Sequence, residues 1–282
     1  PAVRPGAAEA AVSGTRLAGA RVLVTGGGSG LGRRLAIGAA RRGATPVVWD
    51  LSAERAHAVR DDIRAHGLTA EAHVVDVTDR AAVREAAAAT GDVDVLINNA
   101  GVVSGRPLLE TPDAAIERTM AVNVLSLYWV TRAFLPAMVE RRRGTVVTVA
   151  SAAGLVGVAR QTDYAASKWA AIGFTESLRA EMRQARTGVR TLVVCPYYID
   201  TGMFAGVRTR FPLLLPILRE GDVARRVLDA IEKGRQRLVL PPLVRVLPAL
   251  RLLPVPAFDA VLDLFGINRG MDHFTGRPGD RA

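Results

Sequence analysis

Three side chains in the run 151–168, SAAGLVGVARQTDYAASK, are of the types that move a proton to or from a substrate oxygen. Tyr164 and Lys168 are four residues apart, so on a helix they share a face, one turn from each other. A phenol ordinarily titrates near ~10, and a neighbouring ammonium favours its anion and lowers that value. A tyrosine tuned this way acts as a general acid or base at ordinary pH. Ser151, at the exit of the preceding apolar run, would offer its hydroxyl to the same oxygen. By itself the Tyr-x-x-x-Lys spacing also fits two surface residues of a solvated helix.

Lysine usage favours the chemical reading. Lys and Arg together number 37, yet Lys168 and Lys233 are the only lysines. An ammonium kept in an arginine-dominated chain hints at a compact charge that a planar guanidinium would not replace. Lys233, near an expected helix end, reads as an ordinary surface residue.

The elements that must position these groups follow a rhythm. The apolar run 145–150 reads as a buried strand and a helical pattern begins near Asp163. Upstream, a strand at 21–24 runs into Thr25-Gly26-Gly27-Gly28-Ser29-Gly30-Leu31-Gly32 and then a helix over 33–42. Strand, glycine turn, helix presents backbone N–H groups and a helix dipole to a phosphate, although such turns also serve only to pack a helix on a strand. A second strand, 46–49, ends at Asp50. There a carboxylate would accept hydrogen bonds from free ribose hydroxyls and repel a 2′-phosphate; Asp50 or Ser52 would equally cap the helix expected over 53–66. A third strand, 72–75, ends at Asp76, with Thr78 expected to cap a helix to about residue 89. A fourth, 93–97, ends in Asn98-Asn99-Ala100-Gly101. Thr111 and Pro112 are expected to open a long helix to about residue 140, with Asn123 inside it either facing solvent or serving a polar network. Asp222 is expected to cap a helix ending at Gly234, before a last strand at 237–240. Alternating strands and helices imply a doubly wound parallel α/β sheet, with ligands beyond the carboxyl ends of its strands. Gly26, Gly32, Asp50, Asp76, Asn99 and Ser151 all fall there.

Composition bounds the rest. A chain of 282 residues suits one α/β domain with an added cap, and 49% hydrophobic residues allow a large core. One Cys, Cys195, leaves no internal disulfide and no Cys-based metal site; His57, His66, His73 and His273 lack ligand spacing, so no metal is expected. The charge of +10 raises nucleic acid as a partner, but no such motif occurs and the arginines are dispersed. Residues 1–18 are rich in Ala and Gly without periodicity or a signal-length apolar core, so a flexible tail and a cytoplasmic protein are expected. Residues 203–220 would form a substrate lid and 241–282 an apolar cap. Pro241, Pro242, Pro248, Pro254, Pro256, Arg245 and Arg251 exclude a spanning helix from 241–265. That stretch reads either as an interfacial membrane contact or as a second lid layer or subunit contact.

Together these residues resemble the short-chain dehydrogenase/reductase family over roughly 20–203. Thr25-Gly26-x-x-x-Gly30-x-Gly32 matches its cofactor turn, and Asn98-Asn99-Ala100-Gly101 its sheet-stabilising motif. Asn123, Ser151, Tyr164 and Lys168 match its catalytic tetrad in order and spacing. The resemblance implies a Rossmann fold and alcohol–carbonyl interconversion with a nicotinamide cofactor, and the Asp50 carboxylate makes NAD the expected form in preference to NADP. It implies Tyr164 as acid/base, Lys168 on the nicotinamide ribose, Ser151 on the substrate oxygen and Asn123 on a relaying water. Cofactor contacts would come from Thr25, Gly26, Ser29, Gly30, Leu31 and Gly32, from Asp50, Asp76 and Val77, and from Asn99, Ala100, Gly101, Tyr164, Lys168, Pro196 and Thr201. A homo-oligomer, dimer or tetramer, is likewise implied. Pro196-Tyr197 departs from the family's usual Pro-Gly. The runs 152–158 and 195–204, and Met271-Asp272-x-Phe274, are similar to the retinol and epidermal retinol dehydrogenase branch, whose members oxidise lipophilic alcohols, often at membranes. Tyr197, Tyr198, Met203, Phe204, Phe211, Leu213, Leu214 and Leu215 would then wall an apolar pocket. Two other classes remain open: a redox sensor that holds the dinucleotide without turnover, and a membrane-surface scaffold.

Overall fold

Runs of Val, Leu and Ile without polar alternation form strands buried on both faces. The computed structural model describes residues 14–276. It has seven strands: β1 Arg21–Thr25, β2 Thr45–Asp50, β3 Glu71–Val74, β4 Val95–Asn98, β5 Thr145–Val149, β6 Arg190–Pro196 and β7 Arg237–Leu240. They pair in parallel in the order β3-β2-β1-β4-β5-β6-β7. Helices connect them: α1 Gly30–Arg41, α2 Ala53–Ala65, α3 Arg80–Thr90, α4 Asp113–Met120, α5 Ser126–Glu140, α6 Thr162–Gln184 and α7 Glu220–Glu232. The short α8, Leu247–Leu250, and α9, Val255–Phe265, follow β7.

The period of two along a strand divides the core into two layers. Val22, Val24 and Val48 meet Leu35 and Ala39 of α1 and Val227, Leu228 and Ile231 of α7. Their neighbours Leu23, Val47 and Trp49 point the other way, onto Val130, Phe134 and Met138 of α5. The order reverses at β1, with β2 on one side and β4 on the other. Ligand crevices open at that reversal, beyond the carboxyl ends of the strands.

Several helix starts differ from the sequence expectation, each for a local reason. Asp79, not Thr78, caps α3 by accepting from the N–H groups of Ala81 and Ala82, because the Thr78 hydroxyl donates to Asp76 at 2.7 Å. Arg219 sits at the N-cap of α7, placing Asp222 in its first turn; Asp200 accepts the Glu220 N–H at 2.7 Å. Thr111 donates to the Pro107 carbonyl at 2.9 Å in the preceding turn, so α4 opens from Pro112 instead. The expected single helix is α4 and α5 joined by a π-helical turn, Ala121–Leu125, which carries Asn123. The stretch Asp113–Glu140 is long and apolar enough, by length and composition, to cross a membrane. Here α5 packs on α3 and β4 and supplies core residues.

The tail expectation falls mostly on 1–13, outside the described residues. Within 14–18 it does not hold: Leu17 is fully buried and the Thr15 N–H donates to Ile231 at the end of α7. The final six residues of the expected cap also lie outside the described residues.

Candidate active site

The glycine turn closes over β1. Gly26 has φ of 61°, in the left-handed region that glycine occupies without strain. At Gly32 a Cβ would lie 2.2 Å from the Gly26 carbonyl oxygen, so only glycine lets the first turn of α1 approach. Asp50, at the end of β2, reaches into this turn. Its carboxylate accepts from the Gly28 N–H at 2.9 Å, the Ser52 N–H at 3.0 Å and Arg55 Nη2 at 3.3 Å. Ser52, not Asp50, caps α2 by accepting from Arg55 N–H. Three bonds leave one of the carboxylate's roughly four acceptor positions for a ligand hydroxyl.

Two residues expected to touch the cofactor or its chemistry have side chains that brace the site from outside the cavity lining. Thr25 is buried, and its Oγ1 accepts from the N–H groups of Asn99 and Ala100 at 3.0 and 3.1 Å, tying β1 to the segment after β4. Asn99 returns its amide to the carbonyls of Thr25 and Gly26. The Asn123 side chain faces a polar network, the second of its two expected settings. It accepts from Val102 N–H at 2.8 Å and donates to the Val102 carbonyl and to Ser167 Oγ, both at 2.9 Å. With those bonds made, its side chain locks the 101–104 loop and does not reach the cavity.

Ser151, Tyr164 and Lys168 converge as expected, from the end of β5 and one face of α6, and all three line one cavity. Lys168 Nζ lies 5.5 Å from the centre of the Tyr164 ring and donates to the Val149 carbonyl at 2.9 Å. The expected lowering of the phenol is not found in the chain's own groups. Burial pushes Tyr164 up to about 12, opposed by the Ser151 hydroxyl, and burial pushes Lys168 down to about 8. At neutral pH the amine is therefore still the ammonium. Ser167, unremarked in the sequence, donates to the Tyr164 carbonyl at 2.7 Å and receives Asn123. Its signal was its spacing, three residues from Tyr164 and hence on the same helical face.

The cavity, about 510 Å³, runs unbroken from the glycine turn to an apolar end. Gly26, Ser29, Gly30, Leu31, Gly32 and Asp50 line its first part, Asp76, Val77, Asn99, Ala100 and Gly101 its middle. Pro196 and Thr201 follow near Tyr164 and Lys168. An elongated cavity with a Cβ-excluding turn at a helix N-terminus at one end and a phenol and ammonium at the other fits a dinucleotide. Beyond Tyr164, Met203, Phe204 and Leu215 of the lid and Leu247, Leu262 and Phe265 of the cap form the apolar wall. Tyr197 and Tyr198 join it, the Tyr198 hydroxyl accepting from the buried Gln161 amide at 3.2 Å. Three lid residues expected in the pocket lie outside it: Phe211 meets Phe265 edge-to-face with centroids 5.8 Å apart, and Leu213 and Leu214 are exposed. The cap is pinned to α6 by Arg251, whose guanidinium sits 4.5 Å above the Trp169 ring. Among the described residues no cluster of three or more His, Cys, Asp or Glu is placed to hold a metal ion.

A doubly wound sheet with a dinucleotide cavity and a Ser-Tyr-Lys group at its switch point defines a nicotinamide-dependent oxidoreductase of the Rossmann class. The chain belongs to the short-chain dehydrogenases: that family's model matches residues 20–210. Epidermal retinol dehydrogenase 2 of Mus musculus is 40% identical over 268 residues, covering 93% of this chain and 87% of that protein. Two solved structures are similar. One is a short-chain dehydrogenase/reductase from Burkholderia phymatum in complex with NAD (TM-score 0.77, 28% identity, 84% of this chain and 94% of that one). The other is a metagenomic short-chain oxidoreductase in complex with NADP (TM-score 0.67, 31% identity, 80% and 98%).

Proposed function

We propose that this enzyme oxidises a long or ring-containing lipophilic alcohol, retinol-like, steroid or long-chain, to its carbonyl with NAD. The observation that carries the substrate class is the apolar wall that begins at Tyr164 and continues through lid and cap. The bound nicotinamide supplies the hydride acceptor. Tyr164 takes the alcohol proton, Ser151 donates a hydrogen bond to the same oxygen, and Lys168 holds the ribose and favours the phenolate by its charge. The name of the mouse relative supports a retinoid-like substrate. Each substrate methylene buried against this wall contributes roughly 0.8 kcal/mol, about fourfold in affinity. Across linear primary alcohols, kcat/KM with NAD is expected to climb by about that factor per carbon until the wall is filled; a flat or falling series argues against the reading.

Asp50 supports the preference for NAD, since its carboxylate accepts ribose hydroxyls and repels a 2′-phosphate. Arg55, half-exposed beside it, is the counterweight. Asp50→Asn keeps an acceptor for Gly28 while removing the charge and releasing Arg55. The ratio of kcat/KM for NAD over NADP should fall by at least about tenfold, ~1.4 kcal/mol. Tighter binding of NADPH than NADH by the unmodified enzyme would reverse the assignment.

The outer side of the cap supports a peripheral membrane contact by a cytoplasmic protein. Val246 lines the cavity and is also exposed, and exposed Leu252, Leu253 and Val255 continue from it, with Arg245 nearby. An apolar rim with interspersed Arg suits an interface between acyl chains and headgroups. Exposed Leu125 and Tyr128 of the π turn and α5, with Trp169 of α6, support self-association into a dimer or tetramer.

A further inference from the structure

Asp163 is a buried carboxylate for which the proposed chemistry has no use. It precedes Tyr164 in the first turn of α6 and is 6% exposed. Among the described residues no Lys or Arg forms an ion pair with it. Two hydroxyls serve it instead. Ser104 Oγ donates to Oδ1 at 2.8 Å, and Thr119 Oγ1 lies 2.8 Å from Oδ2. Thr119 is also 2.9 Å from its own helix carbonyl at Ala115, but one hydroxyl proton goes to one acceptor, and the charged acceptor forms the stronger bond. The N-terminal dipole of α6 adds to the favour shown to a negative group here.

These two donors come from different elements. Ser104 lies in the loop after β4, and Thr119 in the last turn of α4, next to the π-helical turn. The same loop is stitched a second time by Asn123 through both backbone groups of Val102. Between the two stitches lies Val103, which packs against the small apolar cluster of Ala153, Tyr164 and Ala165. Loop, α4 and the helix bearing the phenol therefore meet at one carboxylate.

We propose that Asp163 is a positioning residue: through Ser104 and Thr119 it holds the 102–104 loop and α4 against the start of α6, with Val103 on the cluster that contains Tyr164, and so fixes the phenol's approach to the substrate oxygen. This rests on the acid/base reading of Tyr164. Side-chain hydrogen bonds to a buried charged acceptor are among the strong ones, and a misplacement of about 1 Å at a reacting group can cost on the order of a hundredfold in rate.

The test measures kcat with saturating NAD and all-trans-retinol, and NADH affinity by fluorescence, for Asp163→Leu, Asp163→Asn, Ser104→Ala and the Asp163→Leu/Ser104→Ala pair. Asp163→Leu should lower kcat at least about tenfold while NADH affinity changes less than about twofold. Asp163→Asn should recover to within about threefold of wild type, because an amide still accepts from one hydroxyl and donates to the other. The double variant should fall no further than Asp163→Leu alone, since both remove one clamp. Hydrogen exchange should rise at 102–104 in Ser104→Ala, which does not depend on a substrate. Full kcat in Asp163→Leu, or multiplicative losses in the pair, overturns the proposal. Should Asp163→Leu fail to fold, Ser104→Ala with Thr119→Val decides: wild-type kcat and unchanged exchange overturn it. An inactive Tyr164→Phe with a fully active Asp163→Leu sinks the clamp alone, whereas an active Tyr164→Phe sinks the reading beneath it.

Discussion

Tyr164→Phe should lower kcat by on the order of 10²–10⁴-fold and leave NADH affinity within about twofold of wild type. The substitution removes one oxygen from a ring that meets Phe204 edge-on and belongs to a cluster flanked by Val103 and Val158, so the packing survives. What is lost is the group that exchanges a proton with the substrate oxygen. The burial that pushes this phenol up to about 12 makes the surrounding charges matter. The chain's own groups do not offset that rise, so the phenolate at neutral pH would depend on the positive charge that the oxidised cofactor brings. The oxidation rate should therefore rise with pH from neutrality in wild type. A Tyr164→Phe enzyme with full turnover would remove the acid/base assignment, whatever the fate of the cofactor site.

Lys168→Met should do two opposite things. Turnover should fall by a factor comparable with that of Tyr164→Phe, because the ribose contact and the charge beside the phenol both disappear. Stability at pH 7 should rise. Lys168 is held at about 8, below its ordinary 10.5, because burial disfavours its charged form. The native state therefore binds that proton more weakly than the unfolded chain does. Sign follows from this: stability declines as pH falls from 10.5 to about 8, and below 8 the whole cost is present. That cost is roughly 3 kcal/mol, against about 1.5–3 kcal/mol for the lost hydrogen bond from the ammonium to Val149, so a small net gain of up to about 1 kcal/mol is expected. Urea unfolding at pH 7 and pH 9.5 checks it: the gain should be present at the first and smaller at the second. A less stable Lys168→Met at pH 7 would mean that the ammonium is paid for by its surroundings, and the site would not be a strained one.

The alternation of strands and helices was legible because a strand buried on both faces is an unbroken apolar run, and six of the seven strands are so built. Tyr164 and Lys168 were legible because helix period alone puts them on one face. Thr25 and Asn123 were found by their chain position, which left the direction of their side chains open. A chain position at the end of a strand or inside a helix gives proximity to the site, but not the direction in which the side chain turns. Both turn away from the cavity, toward backbone groups that would otherwise be buried without partners. Caps were displaced by one residue at Thr78 and Thr111 and by three at Asp222, because a hydroxyl or carboxylate near a helix start has several partners within reach, and the choice is made by geometry. Asp163 was invisible for a different reason. An acid in the first turn of a helix reads as a solvated complement to the dipole, and only tertiary structure brings Ser104 and Thr119 to it from 59 and 44 residues away.

The lid divides along similar lines. Met203, Phe204 and Leu215 face the cavity, while Leu213, equally apolar, is almost wholly exposed. A segment of turns has no period, so its sequence cannot sort inward from outward residues. In the cap, inner residues wall the cavity, as the second-lid reading expected, while Leu252 and Val255 face outward.

The central claim is that an apolar wall beginning at Tyr164 selects the alcohol. Its most direct test is kcat/KM with NAD for decan-1-ol against sorbitol, with NADH and the carbonyl product assayed together. The account predicts equal amounts of the two products from decan-1-ol and a preference over sorbitol of at least about a hundredfold, the worth of a few buried methylenes. Equal or better use of sorbitol would contradict it.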